Sequence, residues 1–197
     1  MNEDIILHYD SLIDEGQDPV CDPPMLQDYM NKWDGDAFIS LLELNKADSA
    51  LEIGCGTGRL AVRVAPKVSS FCGIDVSPKT VKIAASHLQK YNAKLICGDF
   101  LDYSFTERFD LIYSSLTFMH LENKRRALYK IYDLLNIGGI CVISIDKNRS
   151  PVLDYGTRQI KIYPDDPEML IGIMKESGFC SIERHETELA HLLKARR

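Results

Sequence analysis

The stretch Ala50-Leu51-Glu52-Ile53-Gly54-Cys55-Gly56-Thr57-Gly58-Arg59-Leu60 constrains the fold of this 197-residue chain more than any other. An apolar strand pattern runs into three alternating glycines and then into a helical pattern. Glycine lets the backbone turn sharply and lets a ligand touch the main chain where a Cβ would collide. The spacing decides which ligand. A nicotinamide dinucleotide fingerprint takes glycine at its first, third and sixth positions. Here those positions are Gly54, Gly56 and Arg59, so the sixth fails, while the fifth is Gly58. A nicotinamide oxidoreductase is thereby disfavoured.

From Ser49 onward short apolar runs alternate with helical patterns, which argues a parallel sheet covered by helices on both faces. The runs predict strands over 49–53, 70–75, 93–97, 108–114 and 140–146, the last near-continuously apolar as in a buried central strand. Helices are predicted over 58–68, from Ser77 with Pro78 in its first turn, over 122–136, and over 166–177 ending at Gly178. In the second of these, Val81, Ala84, Ala85, Leu88 and Tyr91 form one apolar stripe. Segments 179–186 and 189–195 read as two closing strands whose tight connection requires an antiparallel pair. Residues 1–48 precede this core (49–197) as a helical cap, with helices expected over 2–14, 24–32 and 36–45. Ala37, Leu41, Leu42 and Leu44 supply the last one's apolar face.

In an open α/β sheet, ligands bind beyond the carboxyl ends of the strands, where strand order reverses. Those ends are Gly54 to Gly58, Asp75-Val76-Ser77, Gly98-Asp99-Phe100 and Ser114-Ser115-Leu116. Asp75 follows the loop by about twenty residues, a spacing at which a carboxylate accepts from ribose hydroxyls. The glycine loop opens a helix whose free N–H groups favour a carboxylate.

With Glu52 just ahead of the first glycine, the loop resembles motif I of class I S-adenosylmethionine-dependent methyltransferases. Phe109-Asp110-Leu111-Ile112-Tyr113-Ser114-Ser115 resembles that family's fourth-strand motif, and Leu134-Leu135-Asn136-Ile137-Gly138-Gly139 the stretch leading into its fifth strand. The resemblance covers about residues 45–146. It implies a doubly wound α/β fold: a mostly parallel seven-stranded sheet of order 3-2-1-4-5-7-6, strand seven antiparallel, with the cap over its ligand end. It implies S-adenosyl-L-methionine as methyl donor, with S-adenosyl-L-homocysteine as product. Asp75 is then expected on the ribose, Asp99 on the adenine amine with Phe100 covering the ring, and Glu52 at the methionine end. The expected cofactor-binding set is Glu52, Gly54, Cys55, Gly56, Gly58, Asp75, Val76, Ser77, Asp99, Phe100 and Ser114. Tyr9 and Trp33 join it from the cap, since aromatic faces attract a sulfonium as they do an ammonium.

His120, in Leu116-Thr117-Phe118-Met119-His120-Leu121, is the candidate catalytic base, because relatives place substrate-facing residues near there. Its apolar neighbours leave a second reading open, a packed core histidine. Asp146 and Tyr155 are weaker candidates for the acceptor side. Asp22-Pro23-Pro24-Met25 resembles the acid-Pro-Pro-aromatic motif of amino-methylating DNA enzymes, but it sits in the N-terminal segment and ends in methionine.

A net charge of −6 argues against nucleic acid as a partner, and Lys124-Arg125-Arg126 reads as a solvated helix face. No acid directly follows the fourth strand, and the six cysteines contain no CxxC pair, so no metal is expected. Cys72, Cys97, Cys141 and Cys180 lie in strand-like segments and are expected buried. No apolar run approaches the roughly 20 residues that cross a bilayer. The acidic Met1-Asn2-Glu3-Asp4 lacks the basic start of a signal peptide, giving an expected cytoplasmic location. The function expected is methyl transfer to a small molecule; the alternative is a non-catalytic module binding the same cofactor or a partner.

Overall fold

The computed structural model describes residues 3–46 and 48–197; the expected helix start at Asn2 lies outside them. Helices α1 (Glu3–Asp14), α2 (Pro24–Met30) and α3 (Gly35–Leu41) precede strand β1 (Ser49–Ile53). Then come α4 (Ala61–Val64), continued by one 3-10 turn, β2 (Ser70–Asp75), α5 (Pro78–Leu88), β3 (Ala93–Cys97) and β4 (Phe109–Ser115). The chain continues through α6 (Lys124–Leu134), β5 (Leu135–Asp146), β6 (Val152–Asp154), β7 (Gln159–Lys161), α7 (Pro167–Ser177), β8 (Cys180–Glu186) and β9 (Ala190–Arg196).

The main sheet runs β3-β2-β1-β4-β5-β9-β8. Counting β8 and β9 as sixth and seventh, this is the expected order. Strands β1 to β5 pair in parallel, and β9 inserts antiparallel between β5 and β8. One buried cluster around Leu51, Ile112, Leu128 and Ile143 packs on one face; another around Phe38, Ala50, Tyr113 and Leu192 packs on the other. Side-chain alternation along each strand feeds both layers.

Local chemistry explains the helix ends. Ser77 Oγ accepts from Thr80 N–H and caps α5; Asp166 accepts from Met169 N–H and caps α7, whose last turn closes on Gly178 at φ +103°. Asp34 caps α3 from its own side chain. Leu42 is buried as expected, but Phe38 and Ile39 complete the buried face and Ala37 is exposed, contrary to expectation. Ala85 is likewise exposed on α5.

Three further expectations are corrected. Cys97 and Cys180 are exposed, because β3 and β8 are the two edges of the sheet; Cys72 and Cys141 are buried. Lys124 is no solvated residue: it is 6% exposed, ion-paired to Asp165 at 2.7 Å, and donates to the carbonyl of Tyr163. The polar segment after β5 carries the β6–β7 hairpin, too short and too polar to show a period of two.

Helix α1 lies across the ligand end of the sheet. Asp10 accepts from Ser77 Oγ at 2.6 Å and from Lys79 N at 3.2 Å, at the start of α5. Its neighbour Tyr9 meets His120 beyond β4 with 2.8 Å between Oη and Nε2. No helix among the described residues is long and apolar enough to cross a membrane.

Candidate functional site

The glycine loop after β1 is held open by backbone bonds. Gly54 N donates to the carbonyl of Ile74 at 2.8 Å, and Gly58 N to that of Cys55 at 2.9 Å. Gly54 takes φ +74°, and a Cβ on it would meet the Thr117 hydroxyl at 2.0 Å; Gly56 takes φ +52° and faces open space. The Asp75 carboxylate joins this loop to the next. Its Oδ2 accepts from Gly56 N at 2.9 Å, and its Oδ1 from Ser77 N at 3.0 Å and Thr80 Oγ1 at 3.3 Å. Burial raises the Asp75 pKa against the pull of those donors.

Glu52 is 3% exposed at the end of β1, and its Oε2 accepts from Tyr113 Oη at 2.9 Å. Burial pushes its pKa up to about 8, a shift that one tyrosine hydrogen bond offsets only in part. Cys55 is buried, with its thiol pKa raised well above the ordinary value chiefly by burial. It is a packing group in the space that Gly73 leaves for it, since a Cβ there would lie 2.9 Å from its sulfur.

Arg59 grips Asp34 with both terminal nitrogens, and Ser115 Oγ donates to the same carboxylate at 2.7 Å. Burial acts to raise the Asp34 pKa, but the guanidinium and the other donors outweigh it and hold it below the usual range. This clamp joins the cap to the glycine loop and to the end of β4. It also neutralises the one arginine in the cavity wall.

Across the crevice, burial lowers His120 to a pKa of about 4, helped by the nearby His8 and Lys124. Its Nδ1 has no hydrogen-bond partner among the described residues. His8 Nδ1 accepts from Arg158 Nε at 2.9 Å, and Arg158 pairs with Glu15 through both terminal nitrogens, binding α1 to the β6–β7 hairpin. Tyr155 lies against His8 with ring centroids 4.4 Å apart. Leu116, between β4 and His120, holds φ +54°, a left-handed strain of the kind that clusters at binding sites.

These walls enclose a cavity of about 450 Å³, within the range of small-ligand sites. Of the residues expected, it is lined by Glu52, Gly54, Cys55, Gly56, Asp75, Val76, Asp99, Phe100, Trp33, Tyr9 and His120, and also by Asp146 and Tyr155. Gly58, Ser77 and Ser114 stand behind the wall. Ser77 caps α5, and Ser114 Oγ donates to the carbonyl of Ile53 at 3.0 Å. Sequence reasoning named Ser115 only as part of a strand end, gave Thr117, Met119 and Leu153 no site role, and treated Arg59 only as a break in a glycine pattern. Position at a strand end was the available signal for Ser115; nothing in sequence pointed to Leu153. Among the described lining residues, Glu52, Asp75, Asp99 and Asp146 face one cation, Arg59, already bound to Asp34. Among these residues an anionic ligand meets no free cation.

Residues 50–139 match the family described as Methyltransferase domain. The malonyl-[acyl-carrier protein] O-methyltransferase of Priestia megaterium is 30% identical over 102 residues, 51% of this chain and 37% of that protein. Ajmaline N-methyltransferase of Rauvolfia serpentina is 28% identical over 155 residues, 75% of this chain and 52% of that protein. The chain thus spans about half or less of the length of these curated relatives. The N-methyltransferase NodS from Bradyrhizobium japonicum WM9, solved with S-adenosyl-L-homocysteine, shares the fold with TM-score 0.71 at 23% identity, covering 96% of this chain and 97% of that one. With its glycine loop, its strand order and this match over residues 50–139, the chain carries the fold of the class I S-adenosylmethionine-dependent methyltransferases and is similar to them.

Proposed function

We propose that the chain transfers a methyl group from S-adenosylmethionine to an uncharged or cationic small molecule, an amine in particular. The observation that carries this reading is that one cavity gathers both the carboxylates at the strand ends beside the glycine loop and a second group of polar and aromatic side chains. Glu52, Asp75 and Asp99 line it from the ends of β1, β2 and β3, and Tyr9, His120, Asp146 and Tyr155 line it from α1, from beyond β4, from the end of β5 and from the β6–β7 hairpin. The residues fit the cofactor: Gly56 leaves its Cβ space empty, and Trp33 Nε1 is buried without a partner among the described residues. Bound there, the cofactor supplies an electrophilic methyl on sulfonium.

The residues do the rest. Asp75 accepts from the ribose hydroxyls with lone pairs its backbone donors leave over, and Asp99 accepts from the adenine amine beside Phe100. Glu52 faces the ammonium of the methionine end. The acceptor wall holds an amine nitrogen in line with the methyl and excludes water, and orientation of this kind is worth about 7–11 kcal/mol in favourable systems. An anionic acceptor finds no free cation among the described lining residues, and an amine attacks as the free base, its nitrogen lone pair taking the methyl as the S–CH₃ bond breaks and its proton passing to His120 or to solvent. The N-methylating relative from Rauvolfia accords with an amine.

The test is calorimetry with S-adenosylhomocysteine, followed by transfer of labelled methyl to panels of amines, carboxylates and phosphates. Transfer to amines supports the reading. Transfer confined to anions overturns the acceptor class, and binding without any transfer favours the non-catalytic module.

Two predictions arise here. Asp75→Asn keeps the loop contacts partly and is expected to weaken cofactor binding by about 1.5–3 kcal/mol, the scale of hydrogen bonds to a charged group. Equal affinity in calorimetry would remove Asp75 from the site. The second concerns pH. Folded Glu52 titrates near 8 against 4.5 for an ordinary glutamate, so the folded chain keeps a proton that the unfolded chain releases. Its contribution to stability is complete below about pH 4.5 and is lost as pH rises through 8, with Asp75 acting in the same direction. The cofactor-free chain is therefore expected to lose Tm between pH 5 and pH 8 (about one buried carboxyl's worth), while cofactor affinity rises over the same window. Glu52→Gln should flatten most of both slopes.

A further inference from the structure

We propose that Asp18, Cys21 and His87 form a zinc-type metal site that pins the segment between α1 and α2 to the end of α5. Their ligand atoms lie within 4.8 Å of one another, and His87 Nε2 is 2.8 Å from Asp18 Oδ2. The backbone brings the first two together. Cys21 N donates to the carbonyl of Asp18 at 2.8 Å, closing a turn that sets both side chains on one side. Val20 N donates to Asp18 Oδ1 at 3.2 Å, which leaves Oδ2 directed at the imidazole. His87 arrives from the last turn of α5, far along the chain, so no local spacing announces the set.

The donor set points to the kind of metal. Tetrahedral zinc binds cysteine sulfur at about 2.3 Å and histidine nitrogen or carboxylate oxygen at about 2.0–2.2 Å, which puts donors about 3.5 Å apart. Cys21 is exposed and on a turn, so a modest movement of its side chain closes the set. One thiolate, one imidazole and one carboxylate select a borderline-soft ion over magnesium or calcium, and water completes the fourth position. Metal binding displaces the Cys21 thiol proton to solvent, and the two anionic ligands balance the dication. Pro19, between the loop ligands, lines the main cavity, so the ion fixes one wall of it.

The experiment titrates the chelator-treated full chain with Co²⁺ and then Zn²⁺. One equivalent of cobalt with a thiolate-to-metal charge-transfer band, displaced by zinc, is expected. Cys21→Ser and His87→Gln should each weaken zinc binding by more than about tenfold. Cys97→Ser, an exposed cysteine elsewhere, should leave it unchanged, and far-ultraviolet circular dichroism checks that each variant is folded. Absence of the band overturns the site, as does a band that survives His87→Gln or disappears in Cys97→Ser.

Discussion

Gly54→Ala is expected to abolish S-adenosylhomocysteine binding and to lower stability by about 3 kcal/mol. Two costs add. The left-handed backbone at φ +74° costs an alanine about 1–2 kcal/mol, and the new Cβ would sit 2.5 Å from Thr117 Cγ2 and 2.7 Å from its Cβ. Those atoms belong to the segment that follows β4, so relief means moving the chain that leads to His120. Gly56→Ala is the instructive contrast. It has the same hand of backbone but no neighbour within 4 Å, so the fold should lose only about 1 kcal/mol while the methyl intrudes where a ligand must approach. Thermal denaturation with calorimetry reads both. In the Thr117→Gly background the steric part of the Gly54→Ala loss should return and the φ cost remain. Full affinity in Gly54→Ala would show that the loop is not the cofactor contact.

His120→Ala should lower turnover by roughly 10²-fold or more, the scale of a lost proton-transfer partner, with cofactor affinity nearly kept. Burial holds His120 at a pKa of about 4, so it is neutral at physiological pH and free to accept a proton or hydrogen bond from an acceptor N–H. With cofactor and free-base acceptor saturating, the His120 contribution to the rate should therefore show no inflection near 6.5, the ordinary histidine value, and should be lost only as pH approaches 4. Tyr9→Phe releases the ring from its 2.8 Å bond and should lower turnover less, by loosening the orientation of the imidazole. If His120→Ala instead loses Tm and leaves turnover per folded molecule intact, the residue is a packed core histidine.

The glycine loop and the strand ends were legible because each rests on short-range chemistry. Residues 54 to 58, Asp75 and Asp99 follow from periodicity and from where strands stop. Strand order came from family resemblance, since pairing is a non-local property that periods of two do not encode. The Asp34–Arg59–Ser115 clamp was illegible for the same reason: three residues from the cap, the loop and β4 meet only after folding. Burial at Lys124 was misread because a basic triplet looks solvated until Asp165 is brought to it. The β6–β7 hairpin failed differently, being too short and too polar to leave a pattern.

Adjacent residues of α1 hold opposite ends of the crevice: Asp10 the start of α5 beside Asp75, and Tyr9 the imidazole beyond β4. One helix therefore reports the state of each end to the other. A substitution that loosens the seat of α1 is therefore expected to disturb both contacts at once, at the start of α5 and at the imidazole.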